Sequence, residues 1–198
     1  RGAGTFAQLQ TQLRLLKERQ LPFTLSMCVE RRNVQDMTAL VDFAAEVGAS
    51  NLHYLWYFVQ GRGTDAGYVP PEEIFPQIIA AAEKAEQGGI QIDNLAALKT
   101  QIFAPAGTIH DGSSSGWESA AIGWDDQLYP SAALVGNPQM VTPIPDGLKS
   151  AWQNSSTLEE IRQATIAKET DPLRYFTGGG DLDHSWLHGG TFLGSDPY

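Results

Sequence analysis

The chain has 198 residues, 42% of them hydrophobic, which is enough apolar material for one domain or two small lobes with a packed core. Thirteen Lys and Arg face 23 Asp and Glu, giving a net charge of -10 with no dense basic patch, so neither nucleic acid nor an anionic membrane is an expected partner. No apolar run approaches the length of a membrane span, no signal peptide is visible, and the single cysteine, Cys28, rules out an intrachain disulfide and any thiolate-built zinc or iron–sulfur site made by this chain alone. The expected location is cytoplasmic, a reducing compartment.

Residues 5–19 carry Leu9, Leu13 and Leu16 at helical spacing, and Pro22 limits that helix because proline disfavours helical backbone in the residue before it. From Phe23 to Glu30, Phe23, Leu25, Met27 and Val29 alternate with Thr24, Ser26, Cys28 and Glu30. A period of two predicts a strand with one apolar and one polar face. Asn33 is then the expected N-cap of a helix, with Asp36 in the first turn where a carboxylate suits the macrodipole. Met37, Leu40, Val41, Ala44 and Ala45 form its predicted buried stripe, and Gly48 its stop. A second strand follows over Asn51 to Gln60, apolar or aromatic almost throughout, as in a strand covered on both faces.

Helix, strand, helix and strand in this order imply parallel pairing through a crossover. Two such units belong to a β/α barrel or an open α/β sheet, and they cannot cover both sheet faces alone. The chain also begins at Arg1, almost inside a helical pattern. Both features predict a piece of a longer polypeptide.

Gly61-Arg62-Gly63 ends the second strand. Pro70-Pro71-Glu72-Glu73 opens a further helix to about Gln87, with Pro76 near its start and Gly88-Gly89 as its stop. Asp93 is placed to cap a short helix through Ile102. The texture then turns rich in Gly, Ser and Pro over 104–147, and the expected division is into lobes 1–103 and 104–198. Within the second lobe, Ala120–Gly123 and Gln127–Pro130 flank Trp124-Asp125-Asp126 as a small hairpin. Residues 147–154 and 157–168 have helical patterns, the latter with Ser156 and Glu159 as a capping box. The chain closes through Gly178-Gly179-Gly180-Asp181-Leu182-Asp183-His184.

The stretches LRLLKERQLPFTLSMCVERRN, LVDFAAEVGASNLHYLW and VQGRG, in that order, resemble the latter half of a radical SAM (S-adenosylmethionine) partial barrel. SGWESAAIGWDDQLYPS resembles the hairpin of a SPASM-type extension, in which flanking cysteines hold an auxiliary iron–sulfur cluster. Here Ser131 follows Tyr129-Pro130, Ser113, Ser114 or Ser115 occupies the region of the earlier cysteine, and Asp126 takes the place of the turn glycine. Serine hydroxyls are poor iron ligands beside thiolates. The resemblance therefore implies a partial, incomplete parallel β/α barrel followed by a small irregular α+β lobe that keeps a SPASM-like shape. It implies S-adenosylmethionine and a 4Fe-4S cluster for the whole enzyme, with the Cys-x3-Cys-x2-Cys ligands outside this chain, and a peptide or protein as substrate.

In a barrel wall one strand face points to the lumen, which the resemblance assigns to S-adenosylmethionine and substrate. Ser26, Cys28, His53 and Tyr57 are thus the expected cofactor-binding residues, the last two sharing a face of the second strand. Asp181, Asp183 and His184, with His188, form the densest polar cluster and are the candidate catalytic residues, since carboxylates beside imidazole can move protons. No metal site is assigned. His110 and Asp111 form a weaker pair. Three functions follow as expectations: the C-terminal part of a radical SAM maturase, a non-catalytic peptide- or partner-binding module that has lost its clusters, and a metal-dependent hydrolase using Asp181, Asp183 and His184.

Overall fold

The computed structural model describes residues 2–96, 114–164, 170, 172, 180–192 and 196–197. The chain divides into two compact units, Arg1–Ala97 and Leu98–Tyr198. The expected boundary at 103 and 104, the end of the helix after Asp93, Ser113, and the pair His110 and Asp111 lie outside the described residues. Among the described residues no helix is long and apolar enough to cross a membrane.

The first unit is mixed α/β. Helix α1 spans Thr5–Glu18, strand β1 Thr24–Val29, helix α2 Met37–Val47, strand β2 Asn51–Trp56, helix α3 Pro71–Gly88 and strand β3 Gln91–Ile92. The strands form one parallel sheet in the order β1-β2-β3. Thr24 pairs with Asn51, Ser26 with His53 and Met27 with Tyr54, while Leu52 pairs with Ile92. The predicted alternation in β1 is present: Thr24, Ser26 and Cys28 are exposed, whereas Val29 is buried and Leu25 and Met27 are half-buried. Leu52, Tyr54 and Ile92 continue the apolar face. The Tyr54 hydroxyl donates to the Met37 carbonyl at 2.7 Å, which fixes α2 against that face. Helix α3 packs on α2 and reaches β3, burying Ile74, Ala81 and Ala85. Each large apolar side chain sealed here contributes roughly 1.5–3 kcal/mol relative to exposure.

Three details differ from the pattern-based reading. The second strand is six residues long and covered on one face only, with Leu55 47% exposed. It ends because the backbone turns back on itself: Gly63 N–H donates to the Gln60 carbonyl at 2.9 Å, and a Cβ on Gly63 would run into the Phe58 carbonyl oxygen. Asn33 does not cap α2, which begins four residues later, after a 3-10 turn over Val34–Asp36. Its carboxamide instead donates to Cys28 O at 2.9 Å and accepts from Glu30 N–H at 2.8 Å, tying off the end of β1. With the later start, the buried stripe runs Met37, Val41, Ala44 and Val47, and Ala45 turns outward. Gly48 closes α2 and Gly89 closes α3 with positive φ, 76° and 69°.

The second unit contains the antiparallel hairpin of β4 (Ala121–Ile122) and β5 (Leu128–Tyr129). Asp126, standing where the glycine was expected, adopts φ of 59°, and the Tyr129 hydroxyl donates to Asp125 Oδ2 at 2.5 Å across the turn. Helices α4 (Leu148–Asn154), α5 (Ser156–Gln163) and α6 (Leu182–Gly189) complete the described elements. Leu128, Leu134, Met140, Leu158, Ile161 and Phe192 belong to its core. The N-cap of α5 is Ser155, one residue earlier than expected: its hydroxyl accepts from Leu158 N–H at 3.1 Å and pairs with Thr142 Oγ1 at 2.7 Å. Glu159 is therefore one position too far along to complete a capping box.

Candidate functional site

The register of β1 on β2 brings Ser26 beside His53 and Cys28 beside Leu55 on the exposed sheet face. The chain leaves β3 directly into a helical turn over 93–96, and its first two residues turn their side chains back onto β2. Asp93 grips with both oxygens: Oδ2 accepts from Asn51 Nδ2 at 3.0 Å, and Oδ1 lies 2.5 Å from His53 Nδ1. A carboxylate offers only acceptors, so the proton of that hydrogen bond belongs to Nδ1, and in the neutral ring Nε2 is the nitrogen that carries the lone pair. Asn94 pairs with Tyr54 through both ends of its carboxamide.

Cys28 is exposed. Partial burial of its thiol, followed by the nearby Glu30 carboxylate, pushes its pKa above the ordinary thiol range. At neutral pH it is a thiol and not a nucleophilic thiolate. Tyr57 lies beyond the end of β2 and does not share the strand face of His53. Its hydroxyl accepts from Thr64 N–H at 2.7 Å, and its ring lies against Gly67, where a Cβ would come within 2.6 Å.

The acid and imidazole cluster of the second unit surrounds the start of α6. Asp181 is the N-cap and accepts from the N–H groups of Asp183 at 2.7 Å and His184 at 3.3 Å. Asp183 is buried, and Ser115 Oγ donates to its carboxylate at 3.3 Å. His184 is also buried, with Nδ1 3.2 Å from Asp196 Oδ1, while Asp196 Oδ2 accepts from Asp181 N–H at 2.7 Å. Burial raises the pKa of Asp181, against the pull of His184 and two backbone hydrogen bonds. For His184 burial works against protonation, but the hydrogen bond and charge of Asp196, with Asp181 and Asp183 behind it, outweigh it and raise the pKa. His188 falls on the same helix, one turn on, and its pKa is lowered by desolvation and by His184.

Sequence reasoning placed Asp181, Asp183 and His184 together, and the structure brings them together. It missed Ser115 and Asp196, which no spacing rule links to α6, and it read Asp93 only as a helix cap. Among the described residues no group of three or more His, Cys, Asp or Glu is arranged to hold a metal ion. In the hairpin region, Ser131 Oγ is shielded and makes no hydrogen bond. The two clusters differ in kind: around α6 the polar groups are turned inward on one another, whereas the sheet face presents its groups to solvent. Neither protein-family models nor curated proteins give a match to the chain. The candidate site is therefore chosen on geometry, and it is the exposed face of the parallel sheet.

Proposed function

We propose that the first unit is part of the β/α barrel of a radical SAM enzyme acting on a peptide or protein, and that its exposed sheet face lines the cavity for S-adenosylmethionine and substrate. The observation that carries this reading is the sheet itself: consecutive parallel strands in the order β1-β2-β3, apolar on one face and polar on the other. Winding in one direction with helices on one face is how a barrel wall is made. A doubly wound sheet reverses its strand order and covers both faces.

On this reading Ser26 and His53 supply hydrogen bonds to polar groups of S-adenosylmethionine, Leu55 supplies apolar contact, and Cys28 lines the cavity as a neutral thiol. Tyr57 contributes its ring edge at the mouth, because its hydroxyl is engaged by Thr64 N–H. The residues of this chain do not fit an iron–sulfur cluster, since Cys28 is its single thiol. The cluster thiolates would come from polypeptide outside this chain, and no reaction step through a cluster is derived.

Equilibrium dialysis of the purified protein against labelled S-adenosylmethionine tests the reading. Saturable binding that weakens at least tenfold in a Ser26→Ala, Leu55→Arg double variant supports it. Absence of saturable binding, or binding unchanged in the folded double variant, overturns it.

A second reading, peptide docking by the second unit, is favoured by the hairpin surface, where Trp124 is 81% and Ile122 58% exposed. The Trp124 ring lies over Gly136, where a Cβ would come within 2.7 Å. A blue shift of tryptophan emission on adding substrate peptide, lost in Trp124→Phe, would distinguish it.

A further inference from the structure

We propose that His53 and Asp93 form a proton-transfer dyad on the exposed sheet face, with His53 Nε2 drawing a proton from a bound water or hydroxyl group and Asp93 acting as the positioning residue. The dyad needs neither S-adenosylmethionine nor a cluster, so it stands or falls separately from the barrel reading.

The arrangement is layered. His53 Nδ1 donates to Asp93 Oδ1 at 2.5 Å, which fixes both the tautomer and the plane of the ring. The other oxygen of Asp93 is held by Asn51 Nδ2 at 3.0 Å, so the carboxylate cannot turn away. Asn51 is held in turn, because its Oδ1 accepts from Leu52 N–H at 2.9 Å. The backbone of the next residue is pinned by Asn94, which bonds the N–H and carbonyl of Tyr54. Three side chains, one from β2 and two from the turn after β3, thus orient one imidazole whose Nε2 has no hydrogen-bond partner among the described residues.

Access separates this pair from the imidazole–carboxylate pair His184 and Asp196 of the second unit. The His53 and Asp93 side chains are 33% and 35% exposed, against 4% and 14% for His184 and Asp196. A pair so exposed adds little to stability, and an ordered base beside an exposed hydroxyl, Ser26, is what acid–base chemistry uses. The Cys28 thiol, two residues along the same strand, is kept neutral and does not compete as nucleophile.

The probe is 4-nitrophenyl acetate. As water attacks the ester carbonyl, a new C–O bond forms and the water proton passes to Nε2. 4-Nitrophenolate leaves with the bonding pair, acetic acid is released, and the imidazolium returns its proton to solvent. The protein is expected to release nitrophenolate at least tenfold faster than its His53→Gln variant. Asp93→Asn should fall close to His53→Gln while retaining its thermal transition. Long-range proton–nitrogen NMR of the ring should show protonated Nδ1 and bare Nε2 at pH 8, and loss of that tautomer in Asp93→Asn. Equal rates in the protein and His53→Gln, or an Nε2–H tautomer in the unsubstituted protein, would overturn the proposal.

Discussion

Asn94 and Tyr54 are joined by a single carboxamide that takes the place of a missing strand residue: Tyr54 N–H donates to Asn94 Oδ1 at 2.9 Å, and Asn94 Nδ2 donates to the Tyr54 carbonyl at 2.8 Å. The ladder between β2 and β3 ends at Leu52 and Ile92, so both Tyr54 backbone groups would otherwise lack that partner. Asn94→Ala should cost about 1–3 kcal/mol, the range for two net hydrogen bonds at a partly buried edge. Asn94→Asp should cost a similar amount, because a carboxylate cannot donate to the Tyr54 carbonyl. Urea denaturation midpoints check both, and a midpoint unchanged in Asn94→Ala would refute the role.

Gly63 and Gly88 make a contrasting pair. A Cβ at Gly63 meets the backbone oxygen of Phe58, which has no rotamer to escape into, whereas a Cβ at Gly88 meets nothing within 4 Å. Gly63→Ala should destabilise by about 1–3 kcal/mol. Gly88→Ala, at the end of α3, should be neutral or stabilising by up to about 0.5–1 kcal/mol. Thermal melting should show a lowered transition for Gly63→Ala and an unchanged or raised one for Gly88→Ala if the turn after β2 has this geometry.

At the start of α5 the two adjacent serines are unequal. Ser155 caps the helix and pairs with Thr142, and it is buried. Ser155→Ala should cost about 1–2 kcal/mol, more than Ser156→Ala, which changes an exposed first-turn residue. Equal effects in chemical denaturation would return the cap to Ser156.

His184 and His188 should together favour the folded second unit most near pH 6.5, the ordinary histidine value from which their pKa values depart in opposite directions. His184 has a raised folded pKa. Its contribution is complete below the unfolded value and fades as pH rises through the folded one. His188 has a lowered folded pKa, so below about 6.5 the unfolded chain binds its proton more readily and stability falls as pH drops. Melting temperature measured from pH 5 to 9 should pass through a maximum. His184→Gln should flatten the alkaline side, and an alkaline limb that stays unchanged in that variant would show that another group sets it.

Much of the first unit was legible because its signals are local. The alternation of Leu25, Met27 and Val29 with Thr24, Ser26 and Cys28 is a property of six consecutive residues, and the side-chain period of a strand converts it directly into two faces. The site was legible only in part. Ser26, Cys28 and His53 were identified from their strands, but Asp93 lies 40 positions from His53 and reads locally as a cap. Tyr57 was misplaced because the apolar run through Val59 does not announce the turn that Gly63 closes.

By itself, the sequence determined the order of helices and strands in the first unit, the parallel pairing that this order requires, the hairpin around Asp125, and the lack of thiolates for a cluster. Each follows from near-neighbour chemistry: hydrophobic period, glycine stops, proline starts and a residue count. Only the tertiary structure decided where the long-range polar contacts fall. Asn33 could have capped α2 and Asp93 could have stayed on its own helix. Each side chain went where a backbone or imidazole group offered it a better hydrogen bond: for Asn33 at Glu30 and Cys28, three and five residues back, and for Asp93 at His53, 40 residues away on β2.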